Sequence, residues 1–191
     1  MLADALAWWT RFLRSGSRLR SVWPLPSPPA PVILYTDAEG SGGVGAVLFQ
    51  PDYSSSWWSG HVPNVVRRRL AAACGSRRGC PIYLLEALVP IVCLRLWAQS
   101  LGSRPWLIFV DNTTALFALR KGSSRAPALN ALCFQFWELV RGACIVPCFA
   151  WVPTRFNVAD DPSRGRPPAS SSVEVAPPSD SLWHRSAAVA Y

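Results

Sequence analysis

Carboxylates are scarce in this chain, and four of them fall where they could do chemistry. Asp37 closes the run VILYTD, Glu86 sits inside the apolar segment LLEAL, Asp111 closes WLIFVD, and Asp160, followed by Asp161, comes soon after the run that ends at Val152. A carboxylate at the end of a strongly apolar run has low-dielectric neighbours, so it must be hydrogen-bonded, protonated or bound to metal. Several acids brought together repel one another unless cations lie between them. That points to one or two hard divalent ions, most naturally Mg2+ held by oxygen ligands. Two such ions about 4 Å apart would clamp a phosphodiester for in-line attack by water. Each acid also has a plain structural reading: Asp37 as a strand-end turn residue, Asp111 as the cap of the next helix, Asp161 before Pro162 as the cap of a short turn. Glu86 resists such a reading, because Leu84, Leu85, Ala87 and Leu88 around it are all apolar. Glu39 would share the face of Asp37 if that strand continued.

The elements that must position these acids alternate between strand and helix patterns. Val32 to Tyr35, Val44 to Phe49 and Ser56 to Val62 are short strand-like runs joined by turns, one of them Gly40-Ser41-Gly42-Gly43, which predicts an antiparallel meander. A helix is expected from Pro81 to about Leu101 with Pro90 kinking it. Trp106 to Val110 reads as a buried central strand ending at Asp111-Asn112. Thr113 to Arg120 and Ala126 to Arg141 read as helices stopped by Gly122 and Gly142, and Cys144 to Val152 as the last strand. The order β-β-β-α-β-α-α-β-α predicts an α/β fold, a mixed five-stranded sheet flanked by helices. Strand ends at the carboxyl edge of such a sheet are where its sites are built. The stretch from Arg67 to Gly79, RRRLAAACGSRRG, reads as basic and irregular. Residues 1–23 carry apolar residues at helical spacing and lead into the Pro-rich linker PLPSPPAP, so the central domain is expected over 32–166. Beyond Arg166 no periodic apolar pattern returns, and 167–191 is expected to be a mobile tail.

Bulk composition narrows the function class. The chain has 191 residues, 19 basic against 11 acidic side chains, a net charge of +8 and 50% apolar residues, so it can build one core and favours a polyanion as partner. All but one of the cations are arginine, Lys121 being the exception. Arg67, Arg68, Arg69, Arg77 and Arg78 form the densest basic cluster; a solvated surface is its default reading, and a groove for a nucleic-acid backbone the sharper one. Most of the ten tryptophans fall inside expected elements and read as core. The first 15 residues lack the organisation of a secretory signal. Glu86, Pro90, Arg95 and Gln99 interrupt the most apolar window, so no membrane span is expected. The six cysteines form no CxxC pair, which argues against zinc and for buried thiols in a reducing, intracellular setting, cytoplasmic or nuclear.

Taken together, YTDAEG at 35–40, LLEAL at 84–88, FVDNTTALFALRKGSSR at 109–125 and AWVPTRFNVADDPSRG at 150–165 resemble the type 1 ribonuclease H domain of retroelement reverse transcriptases, most of all those of DIRS-like and related retrotransposons. The resemblance covers about Val32 to Gly165. It implies a Mg2+-dependent endonuclease, with two ions and Mn2+ able to substitute, that hydrolyses the RNA strand of RNA-DNA hybrids. It further implies Asp37, Glu86, Asp111 and Asp160 as metal ligands, with Asp160 preferred to Asp161, and a polymerase domain upstream in a longer polyprotein. Asn112, Thr113, Arg155, Asn157, Ser163 and Arg164 become candidates for nucleic-acid contact by adjacency. The chain departs from cellular members at Ala38-Glu39, where they carry glycine after the first aspartate, and in having no histidine between Trp151 and Asn157. A stretch from Ala71 to Gly79 reads as a possible insertion. These departures leave open a rival reading, a catalytically decayed nucleic-acid-binding module.

Overall fold

The computed structural model describes residues 29–101, 104–169 and 172–188, together with the isolated helical positions Ala7, Thr10, Arg11 and Arg14. The remainder of the expected N-terminal helix and most of the linker lie outside the described residues. The sheet is mixed, as expected, and is flanked by helices. Its strands are β1 (Val32–Ala38), β2 (Gly43–Phe49), β3 (Ser55–His61), β4 (Pro105–Val110), β5 (Val146–Trp151) and β6 (Val173–Glu174), in the spatial order β5-β4-β1-β2-β3-β6. β1, β2 and β3 form the antiparallel meander, and β4 and β5 add in parallel on the other side of β1.

The helices are α1 (Asn64–Ala73), α2 (Ile82–Leu101), α3 (Thr113–Lys121), α4 (Pro127–Ala143), α5 (Asp160–Ser163) and α6 (Asp180–Ser186). From Leu84 to Val92 α2 is buried on every side, with Glu86 its one polar residue there and Leu84, Leu85, Ala87, Leu88, Val89, Ile91 and Val92 all buried. Such a helix must be covered on every side. It lies against β1 and β2 and is covered elsewhere by α3, α4 and α6. The side-chain alternation of the strands divides the sheet between two cores. Val32, Leu34, Val44, Ala46, Leu48 and Trp58 face α2 in the main core, whereas Val47 and Trp57 point the other way and pack with Ala159 beside α5.

Several expectations need correction. The sheet has six strands rather than five, because β6 pairs in parallel with β3 (Ser56 with Val173, Trp57 with Glu174). The described part of 167–191 is packed rather than tail-like: Leu182 and Trp183 of α6 and Ala187 just after it are buried, and the Trp183 ring meets that of Trp58 edge-on at 6.0 Å. Its physical reason is the demand of α2 for cover, which the helices before residue 166 do not meet alone. The basic segment from Arg67 to Gly79 is irregular only beyond Ala73, its first part being helical. Val66 and Leu70, four apart, bury one face of a regular α1, and the arginines occupy the remainder.

The cysteine expectation holds for Cys93 and Cys133, which are buried, but not for Cys144 and Cys148, which are exposed. Cys144 does not open the last strand. It caps α4 in the left-handed conformation (φ 53°, ψ 35°), and the strand starts at Val146. Among the described residues no helix is long and apolar enough to cross a membrane.

Candidate metal centre

Parallel pairing of β1 with β4 is what brings the first two acids together. Leu34 pairs with Ile108 and Tyr35 with Phe109, so carrying the register forward sets Asp37 beside Asp111 at the carboxyl ends of both strands. α2 crosses the same sheet end and delivers Glu86, whose Oε1 accepts a hydrogen bond from the Ala38 backbone N–H at 3.1 Å. Asp37, Glu86 and Asp111 each present a carboxylate oxygen within 4.8 Å of the others. Asp37 and Glu86 are buried, with relative exposures of 4% and 2%.

Burial raises both acids. Glu86 is pushed up to about 9 by desolvation, reinforced by the charges of Asp111 and Asp37. Asp37 is pushed up to about 6, again by desolvation, with the neighbouring Ser163 hydroxyl pulling it back and Asp111 and Asp160 adding to the rise. Glu86 Oε2 is buried and has no hydrogen-bond partner. A buried carboxylate oxygen without a partner is costly in an isolated protein, but it is what a ligand to a cation requires. The donor set suits a hard divalent ion: oxygen only, anionic, and without sulfur or imidazole.

A second layer fixes the acids. The Asn157 side-chain amide donates to Thr36 O at 3.0 Å and to Asp37 Oδ1 at 3.2 Å. Thr154 Oγ1 donates to Asp111 Oδ2 at 2.9 Å, and the indole N–H of Trp151 donates to Asp111 O at 3.0 Å. Neither Thr154 nor Trp151 was singled out as a site residue by sequence reasoning. Their only signal is position, in the turn that returns from β5 to the carboxyl edge of the sheet. Asn157 was expected at the nucleic acid; it is buried, and its amide is directed inward to β1.

Asp160 opens α5 and stands outside the group of three. Its Oδ1 is 2.8 Å from Arg164 Nη2, and its charge reaches Asp37. Asp161 is paired instead with Arg166 at 2.6 Å. Of the other candidates, Asn112 caps α3 by accepting from the Ala115 N–H at 3.1 Å. Thr113 is exposed, the Arg155 guanidinium lies 4.8 Å from the centre of the Phe156 ring, and the Ser163 hydroxyl donates to Asp160 O at 2.8 Å.

Two glycines allow α5 to approach. Gly45 pairs with Asp37 across β1 and β2, and a Cβ there would lie 2.5 Å from the carbonyl carbon of Pro162. At Gly43 a Cβ would run into the Ser163 carbonyl. Backbone cannot yield as a flexible side chain would. Gly45→Ala is therefore expected to cost about 1–3 kcal/mol of stability by overpacking and to displace α5, with Asp160 and Asn157, from the acids. Melting of the variant at the parent temperature would show that α5 is not seated as described.

No protein-family model matches this chain, and no curated protein matches it. Solved structures do. The N-terminal RNase H domain of a Mycobacterium tuberculosis protein, solved as a fusion with maltose-binding protein, superimposes with a TM-score of 0.52 at 16% identity, over 72% of this chain and 98% of that one. RNase H1 from Halobacterium salinarum superimposes with a TM-score of 0.50 at 17% identity, over 70% and 94% of the two chains. The fold is thus that of ribonuclease H domains, and it carries an acidic group at its sheet end.

Proposed function

We propose that this protein is a Mg2+-dependent endonuclease that hydrolyses the RNA strand of RNA-DNA hybrids. The observation that carries this reading is the meeting of Asp37, Glu86 and Asp111 within 4.8 Å at the sheet end, with one buried glutamate oxygen unpartnered. Asp37, Glu86 and Asp111 would hold a divalent ion, and Asp160 with Asp37 would complete a second site. Such ions supply charge neutralisation and Lewis acidity toward a phosphodiester, with Mn2+ able to replace Mg2+. The chain's own residues prepare the centre. Asn157 and the Ala38 N–H orient Asp37 and Glu86, Thr154 sets the rotamer of Asp111, and α2 excludes water from the inner side of the cluster. RNA would be told from DNA through its 2′-hydroxyls.

Asp160 is favoured over Asp161 as the fourth acid because its charge bears on Asp37; both are ion-paired, Asp160 with Arg164 and Asp161 with Arg166, so pairing alone does not separate them. The order and spacing of the four motif segments support an origin in a retroelement reverse transcriptase, with a polymerase region upstream and an intracellular site of action. The deciding experiment is a Mg2+ titration on labelled hybrid, double-stranded RNA and double-stranded DNA. Cleavage of the hybrid alone, lost in Asp160→Asn and kept in Asp161→Asn, is the expected result. Binding without product at any Mg2+ concentration would replace this reading with that of a decayed binding module, which the missing loop histidine favours.

A further inference from the structure

Five arginines, the densest positive charge in the chain, take no part in the site described so far. Arg67, Arg68 and Arg69 lie on α1, and the exposed Arg77 and Arg78 lie on the loop that leads to α2. Among the described residues none of the five is in an ion pair. A surface cluster of this kind carries its own repulsion, which an anion would relieve.

The cluster is organised around a pocket. Asn64, Arg67, Arg68 and Ala71 recur at helical spacing along one stripe of α1, and with Gly79 and Cys80 they line a cavity of about 300 Å3, a size at the small end of ligand sites. No carboxylate lines it. Burial pushes the Cys80 thiol up to about 11, so it stays neutral and leaves the arginine charge uncancelled.

Arg67 is seated rather than free. Its side chain crosses Gly42, where a Cβ would lie 2.9 Å from both its Cδ and its Nη1, and its Nε is buried without a partner. Gly42 has φ +104° and closes the turn from Glu39 that directly follows Asp37 and Ala38. The pocket and the acids are therefore neighbours along the same sheet end. The far wall, Gly79-Cys80, leads straight into the helix that bears Glu86.

We propose that Arg67 and Arg68, with Asn64, form a binding site for a backbone phosphate of the nucleic acid whose scissile bond lies at the acids. The site deepens the proposed function and rests on it for the identity of the polyanion. The ligand chemistry follows from the side chains: guanidinium groups present paired N–H donors to phosphate oxygens and remain charged at all relevant pH, and one seated arginine beside an exposed one can hold a diester that slides no further. α1 then fixes the register of the strand relative to the cutting centre.

Salt dependence of binding tests this without cleavage. Affinity of the full chain for hybrid is measured in EDTA from 50 to 300 mM KCl, roughly the range over which released counterions dominate. Arg67→Gln and Arg68→Gln are each expected to lower the slope of log K against log salt by about 0.9, and Arg67→Lys to keep the slope while weakening binding. Arg104→Gln, at the opposite end of β4 from Asp111, is expected to leave the slope alone. An unchanged slope in Arg67→Gln and Arg68→Gln, or an equal loss in Arg104→Gln, overturns the site even if the parent cuts hybrid. A lost slope in a parent that never cuts keeps the site and overturns the hydrolase reading. Failure of the parent to bind any nucleic acid overturns the site. If Arg67→Gln does not fold, the exposed Arg68→Gln decides alone.

Discussion

Asp111→Asn is expected to lower Mg2+-dependent cleavage of hybrid by at least about a thousandfold, some 4 kcal/mol of transition-state stabilisation, while leaving hybrid binding in EDTA intact. Asparagine matches aspartate in shape, and its carbonyl can still accept from Thr154 Oγ1, so the loop after β5 keeps its anchor. What disappears is the negative charge that completes the group with Asp37 and Glu86. A neutral amide binds hard cations poorly, and the loss falls on catalysis because the substrate phosphate is itself repelled by the acids. Binding in EDTA should even tighten slightly. Cleavage within tenfold of the parent would remove Asp111 from the metal centre and with it the proposed activity.

The second large effect concerns stability. Glu86 is raised from its ordinary 4.5 to about 9 and Asp37 from 3.8 to about 6. A carboxyl group whose folded value is raised contributes stability that is fully present below its unfolded value and is lost as pH climbs toward the folded one. The metal-free protein should thus lose stability as pH climbs from about 4 to about 9, through both acids at first and through Glu86 alone above about 6. Mg2+ bound by the ionised acids would reverse the loss and is expected to raise the melting temperature more at pH 8 than at pH 5.5. Glu86→Gln, neutral at every pH and still able to accept from the Ala38 N–H, should melt in EDTA at pH 8 no lower than the parent and show little shift with Mg2+. A parent whose metal-free melting temperature is flat across this range would show that the carboxylates are not crowded as described.

How much of this was legible depended on whether an element announces itself locally. Asp37 and Asp111 stood out because a carboxylate ends an otherwise apolar run, and Glu86 because nothing else in LLEAL is polar. α1 was hidden because three consecutive arginines interrupt the residues, Val66, Leu70 and Ala71, that mark its buried face. α6 was hidden because seven residues hold too little periodicity to read, and only Trp183 hinted at burial. The approach of α5 to β2 was invisible for another reason. Gly43 and Gly45 look like ordinary glycines in a strand, and the backbone they admit comes more than a hundred residues later in the sequence.

The outer borders of the sheet have a consequence for how the molecule meets others. One border is the two-residue β6, laid on β3 and joined to it by the Val175 N–H to Trp57 O bond at 2.8 Å. The other is β5, which carries Pro147 opposite Trp106 and so lacks an N–H there. Short edges and edge prolines deny a foreign strand a template for pairing. Strand addition is disfavoured at β5 by Pro147 and at the end of β3 that β6 covers. A partner that docks there meets helix surfaces and loops, where specificity is set by side chains rather than by backbone pairing.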